Sequence, residues 1–225
     1  MGVLGGSRMA EYRLYCFAQS GNAYKPALHL ALAGADWEPV FVDFFNGETK
    51  GAAYRKINVM GEVPVLEHAG KRLSQSGVIL DYLAETTGRF GPANGDERRE
   101  ILRWILFDNH KLTSYLATFR FLRTFVNKAN PDVVGFLGGR AKAAVGVLEA
   151  HLEDRDFAVA DRPTIADISM AGYIYFGDEL GIDIDKEFPN VARWRDRIAD
   201  LPGWKHPYEL MPGHPLPRSG EKATG

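Results

Sequence analysis

The chain has 225 residues, 45% of them hydrophobic and 25% charged, with a formal net charge of -2. That length holds one large domain or two modest ones, and that composition is ordinary for a soluble globular protein. The near-neutral charge leaves no footprint for nucleic acid or another polyanion, and no apolar run reaches the length of a membrane span.

The leader "MGVLGGSRMA" lacks the long apolar core of a signal peptide, and Gly6 stands where a myristoylation site carries Ser or Thr. Met9 is a second candidate start. "YRLYCF" then reads as a short apolar strand. Its Cys16 is the only cysteine, so an internal disulfide and a cysteine metal site are both excluded and a cytoplasmic protein is expected. Beside Phe17, that thiol is expected to be buried and inert.

"QSGNAYK" follows, and "AYKPALHLALAG" carries helical spacing up to Gly34, with Pro26 tolerable in the opening turn. Ser20 and Asn22 therefore stand where a strand gives way to a helix. Both are preferred N-cap residues, whose oxygens satisfy orphan backbone N–H groups. Either can instead turn outward to a ligand anion, and the segment alone leaves both readings open.

"WEPVFVDF" is a second strand, which Pro39 restricts to an edge or a bulge. Lys50 lies between it and "YRKINVMGEVP". "VPVLEH" and "KRL" form a hairpin turning at Ala69-Gly70. Val63-Pro64 opens it, either as a trans strand entrance or as a cis bond, which at an X–Pro pair costs only about 0.5–1 kcal/mol. The cis form would turn the N–H and C=O of Val63 toward an extended ligand. "SGVILDYLAETTG" is the next helix, ending at Gly88. Gln75 and Ser76 open it, either as caps or as donors at a helix N-terminus suited to a carboxylate.

"GRFGPANGD" is a linker, and beyond it strand signal all but vanishes. "DERREILRWILFDNHKLTSYLATFRFLRTFV" carries about eight turns of helical spacing, broken by Asn130-Pro131. "DVVGFLGGRAKAAVGVLEAHLED", "TIADISMAGYIYFGDEL" and "NVARWRDRIADL" are further helical stretches. Thr164 and Asp167 fit a structural capping box. Trp104, Trp194 and Trp204 are assigned to packing, and His110 and His151 read as helix residues without partners. The six histidines show no metal-ligand spacing, so no metal is expected. The expected organisation is an α/β domain at 10–87, a linker at 88–95, an all-helical domain at 96–210 and a flexible tail at 211–225.

The order β-α-β-α-β-β-α, the Ser/Asn turn, Val-Pro before the third strand and "QS" at the third helix together resemble cytosolic glutathione transferases. The "PTIADISM" segment of the helical half is similar too, and the resemblance covers about residues 12 to 208. It implies an α/β thioredoxin-like N-terminal domain and an all-α C-terminal bundle. "SGNAYK" looks most like the bacterial nu-class pattern [TS]-P-N-G-x-K, matching Ser20, Asn22 and Lys25 and departing at Gly21 and Ala23. A zeta-class catalytic serine would fall on Gly21, which argues against isomerase chemistry of that kind. The catalytic tyrosine of other classes has no counterpart, since Tyr12 and Tyr15 sit in the strand.

The resemblance implies a cytoplasmic homodimeric enzyme of detoxification. It would use glutathione as co-substrate in conjugation to an electrophile, or in disulfide exchange and peroxide reduction. Ser20 and Asn22 would donate to the glutathione sulfur, Val63 beside Pro64 would pair with the cysteinyl backbone, and Gln75 and Ser76 would hold the γ-glutamyl end. Lys50 is the candidate for the glycine carboxylate, with Glu62 standing where relatives often carry a basic residue. Phe107, Tyr115 and Phe119 on the long helix are the candidate lining for a second substrate. A non-catalytic binding or regulatory module is the alternative, because fold does not fix function.

Overall fold

A computed structural model describes residues 10–216. The first strand, β1 (Tyr12–Cys16), buries alternate residues, with Tyr12, Leu14 and Cys16 facing the core. This is the period of two that a pleated strand imposes. β1 runs parallel to β2 (Trp37–Phe41) and antiparallel to β3 (Val65–His68), which pairs with β4 (Lys71–Ser74) in the sheet order β2-β1-β3-β4. β2 is thus an edge, and an edge strand tolerates Pro39 because one side of its ladder has no partner. The burial of Cys16 pushes its thiol up to about 12, as expected for an inert apolar cysteine.

Helix α1 (Gly21–Ala33) connects β1 to β2 and ends at Gly34, whose φ of 66° closes it in the left-handed conformation. It is buried nearly all round, which suits a helix packed between α3 (Ser76–Thr87) and the second domain. The loop after β2 holds a 3-10 turn at Glu48–Lys50 and the short α2 (Ala52–Arg55).

The long helical run of the second domain is α4 (Gly95–Phe107) and α5 (Thr113–Thr124), joined without a break by a π turn at Asp108–Leu112. Asn130 caps α6 (Pro131–His151), with Pro131 in its first turn, so the Asn-Pro pair begins this helix, while the preceding run has already ended at Thr124 rather than at the pair as expected. α7 (Ile165–Met170) opens with the expected capping box and passes into a 3-10 segment, Ala171–Leu180. Asp167 is fully buried and accepts from Thr164 N and Oγ1, Ala158 N and Trp194 Nε1 at 2.8–2.9 Å. α8 (Ile184–Glu187), α9 (Pro189–Ala199) and α10 (Pro207–Leu210) complete the domain.

Two expectations need correction. His151 does have a partner: its Nε2 donates to the Ala158 carbonyl at 2.6 Å, and its ring lies 4.3 Å from Trp104. Residues 211–216, read as the start of a flexible tail, lie against the first domain. Met211 is buried, Ala18 N donates to the Pro212 carbonyl at 2.7 Å, and His214 stacks on Tyr208 at 3.7 Å. The contacts use main-chain oxygens, which a Pro/Gly-rich composition does not reveal. The remainder of the tail, 217–225, lies outside the described residues.

His29, inside α1, is completely enclosed against α3, with Nε2 3.0 Å from Thr87 Oγ1. Burial lowers its pKa to about 3. Below the ordinary value of about 6.5 the unfolded chain takes up a proton that the folded chain refuses, so stability falls as pH drops. Between pH 7 and 5 this one group should remove about 2 kcal/mol, at 1.36 kcal/mol per unit below 6.5. Urea unfolding at both pH values should show that loss in the parent and its absence in His29→Asn.

Candidate functional site

The site grows from the head of α1. Ser20 is its N-cap, and its Oγ accepts from Ala23 N at 3.1 Å, so the capping role is real. A hydroxyl that accepts there still has its proton to donate elsewhere. Asn22, two residues on, has its Oδ1 enclosed without a partner, which leaves the NH2 end of the amide as the one open to the cleft. Both residues line a cleft of about 750 Å³ between α1, the loop after β2, and α5.

The opposite wall comes from the strand entrances. Val63-Pro64 is cis. The loop before it is held by Tyr54, whose hydroxyl donates to the Glu62 carbonyl at 3.0 Å, and by Asn58, whose Nδ2 donates to the same oxygen at 2.8 Å. Gln75 sits at φ 70° and ψ 115°, a conformation only glycine adopts freely. Strain of this kind is worth of order 1–3 kcal/mol and concentrates where a ligand is held. Gln75 Nε2 reaches Met60 Sδ at 3.0 Å and Glu62 Oε2 at 3.4 Å. Ser76 is the first residue of α3, whose opening N–H groups have no side-chain cap. Asn22, Val63, Pro64, Gln75 and Ser76 all line one polar recess at the end of the cleft, together with Asn58, Glu62 and Asn109.

Other expected residues are not brought there. Lys50 is exposed at the end of the 3-10 turn and does not line the cleft. Phe107 packs edge-on against Trp104, Phe119 is buried beneath Gly138 of α6, and Tyr115 turns toward α6, where Arg140 donates to its hydroxyl at 2.9 Å. The cleft face of α5 is instead Ser114, Ala117, Thr118 and Phe121, spaced by three and four residues. Its rings come mainly from elsewhere. Phe17 stacks on Phe44 at 4.9 Å, Phe45 meets Phe125 at 5.3 Å, and Phe121 faces Phe44 at 6.5 Å. One signal was available: "DFF" after the second strand is an apolar pair in a loop, where no core explains it.

Lys25 is buried beneath this floor. Its Nζ donates to Asp108 Oδ2 at 2.7 Å and to Thr113 Oγ1 at 2.9 Å. Thr113 in turn donates to Asp108 Oδ1 at 2.7 Å, and Ser169 Oγ to Oδ2 at 2.5 Å. Both charged side chains are 1% exposed. A second buried cation, Arg120, donates to the Gln19 carbonyl at 2.7 Å, pairs with Glu179 and lies 3.6 Å from the centre of the Phe176 ring. The helical domain thus grips the chain on either side of Ser20.

Residues 10–85 match the family model for the glutathione S-transferase N-terminal domain, and residues 137–202 match the C-terminal one. The structure of a possible glutathione S-transferase from Rhodopseudomonas palustris superposes with a TM-score of 0.80 at 35% identity, over 87% of this chain and 89% of that one. The chain belongs to the glutathione S-transferase family. Glutathione S-transferase 2 of Schizosaccharomyces pombe is 28% identical over 90% of this chain and 97% of its own length. The transferase URE2P8 from Phanerochaete chrysosporium, solved with oxidised glutathione, shares the fold at TM-score 0.82 and 24% identity, covering 91% and 96% of the two chains.

Lys25, which the sequence left among the matches to a ligand-binding turn, spends its charge inside the protein. Removing one member of a buried ion pair strands the other and costs about 3–5 kcal/mol. Lys25→Met should therefore lower unfolding free energy by that amount, measured in urea. Lys25→Met with Asp108→Leu should recover part of the loss.

Proposed function

We propose that this chain binds glutathione in the cleft and lowers its thiol pKa, making a thiolate that attacks an apolar electrophile or a disulfide. The observation that supports this is the convergence of Asn22, Val63, Gln75 and Ser76 on one polar recess, with Ser20 on the adjoining wall. In this reading the Ser20 hydroxyl and the Asn22 amide donate to the sulfur, and neither group titrates near neutrality. The head of α1 adds its positive end. Val63 offers its backbone to the cysteinyl unit, and Gln75 and Ser76 take the γ-glutamyl group.

Free thiols titrate near 8.5, and a fall of two units corresponds to about 2.7 kcal/mol. Hydrogen bonds to a charged group are worth about 1.5–3 kcal/mol each, so two donors are enough. The electrophile would occupy the other end of the cleft, among Phe17, Phe44, Phe45, Phe121 and Phe125, where a flat apolar molecule finds stacking partners. Thiol–disulfide exchange draws on the same thiolate and needs only an accessible disulfide. A cytoplasmic role in detoxification fits either chemistry.

Ultraviolet titration of bound glutathione tests the reading. The parent should show a thiol pKa well below 8.5, and Asn22→Ala should raise it by about one unit, or roughly 1.4 kcal/mol. Ser20→Ala should do the same and also lose about 1 kcal/mol of stability with the helix cap. Binding without a pKa shift would support a non-catalytic glutathione-binding module instead.

We further propose a homodimer built on the groove between α3 and α4, where Val78, Leu102 and Leu106 are 53–59% exposed. Apolar side chains in a row on facing helices mark an association surface rather than scattered surface residues. Sedimentation should give twice the 25.0 kDa chain mass, and Leu106→Glu should return the monomer.

A further inference from the structure

Tyr24, in the turn that carries Ser20 and Asn22, donates its hydroxyl to the Lys205 carbonyl at 2.9 Å, yet another tyrosine reaches this turn from the other domain. Tyr173 lies in the 3-10 segment, next to Gly172. Gly172 crosses the head of α1 so closely that a Cβ on Gly21 would fall 2.6 Å from the Gly172 carbonyl oxygen. The same Cβ would fall 2.6 Å from Cδ2 and Cε2 of Tyr173, so the ring edge rests directly on the first residue of α1. Only glycine at both positions permits this approach.

The consequence is a phenol at the helix N-terminus. The Cδ2–Cε2 edge of the Tyr173 ring stands at Gly21, where the orphan N–H groups of α1 begin. Its side chain is 7% exposed, and it lines the cleft alongside Ser20 and Asn22. A phenol has acceptor lone pairs and one proton. Burial pushes the group up from its ordinary value, so it remains protonated at neutral pH.

We propose that Tyr173 donates its phenolic hydrogen to the glutathione sulfur, so that the thiolate is stabilised from both domains at once. The inference rests on the glutathione reading above. Tyr173 is a hydrogen-bond donor throughout and never a base; the thiol proton leaves to solvent.

Tyr173→Phe in the full chain keeps the ring and removes only the hydroxyl. Two quantities decide the matter: the pKa of the bound glutathione thiol, and the Kd for S-methylglutathione, which has no ionisable thiol. The expected result is a thiol pKa raised by about one unit, a tenfold fall in thiolate below both pKa values. The Kd for S-methylglutathione should stay within about twofold of the parent, because a lost donor to sulfur does not touch the rest of the ligand. A pKa equal to the parent's would overturn the proposal while leaving the thiolate reading intact. Equal weakening of both ligands would overturn it as well, since it would make Tyr173 a packing residue. A parent that binds glutathione without any pKa depression would remove the thiolate reading itself, and Tyr173's role with it.

Discussion

The Lys25–Asp108 ion pair is the constraint on which the geometry of the site depends. Lys25 stands one turn after Asn22 on α1, and Asp108 begins the π turn from which α5 continues. A pair with both side chains 1% exposed forms only when every remaining donor and acceptor is met. Here Thr113 accepts a second proton of Lys25, and Thr113 and Ser169 donate to the two oxygens of Asp108. The missing side chain at Gly172 is part of the same arrangement, since a Cβ there would lie 2.6 Å from Lys25 Cε. One buried charge thereby fixes three things together: the head of α1, the phase of α5 and the crossing of the 3-10 segment.

Rigid placement matters to the proposed reaction because that reaction depends on stabilising charge on a sulfur. Hydrogen-bond donors aimed at a sulfur are useful to the extent that they need not reorganise when charge appears. Ser20 is held by its own cap, and Arg120 holds the carbonyl of the preceding Gln19. The C-terminal segment adds a second grip, with Gln19 Nε2 donating to the Gly213 carbonyl at 2.8 Å. On the far wall, the positive φ of Gln75 is tolerated because β4 and α3 determine its neighbours on both sides. The ring-lined end contrasts with this. Phe44 and Phe45 sit on a loop, where apolar contact needs no fixed angle and can adapt to what enters.

Much of the fold was legible from local rules. Alternation in "YRLYC", the glycine stops at Gly34 and Gly88, and the turn at Ala69-Gly70 each express backbone preferences that act over a few residues. The Thr164–Asp167 box is equally local. The polar end of the cleft was legible for the same reason: Ser20, Asn22, Gln75 and Ser76 stand at strand–helix junctions, and junctions are visible in sequence. The ring-lined end was not. The π turn at Asp108–Leu112 inserts extra chain into a continuous helix, and each added residue rotates the following face by about 100°. Aromatics counted along an unbroken helix therefore fall on the wrong side, which is why Tyr115 and Phe119 meet α6 while Ser114 and Phe121 meet the cleft.

The sequence by itself determined the order of elements in the α/β half, the Thr164–Asp167 cap, the division into an α/β half and a helical half, and the family. Each is set by residues close together in the chain. Only the tertiary structure decided that Lys25 is buried against Asp108 and that residues 211–213 return to the end of β1. It also decided that Tyr173 comes to rest at the head of α1. These contacts join positions from 83 to nearly 200 residues apart. Their partners are chosen by packing across the whole molecule, and no short pattern encodes which distant side chain will arrive.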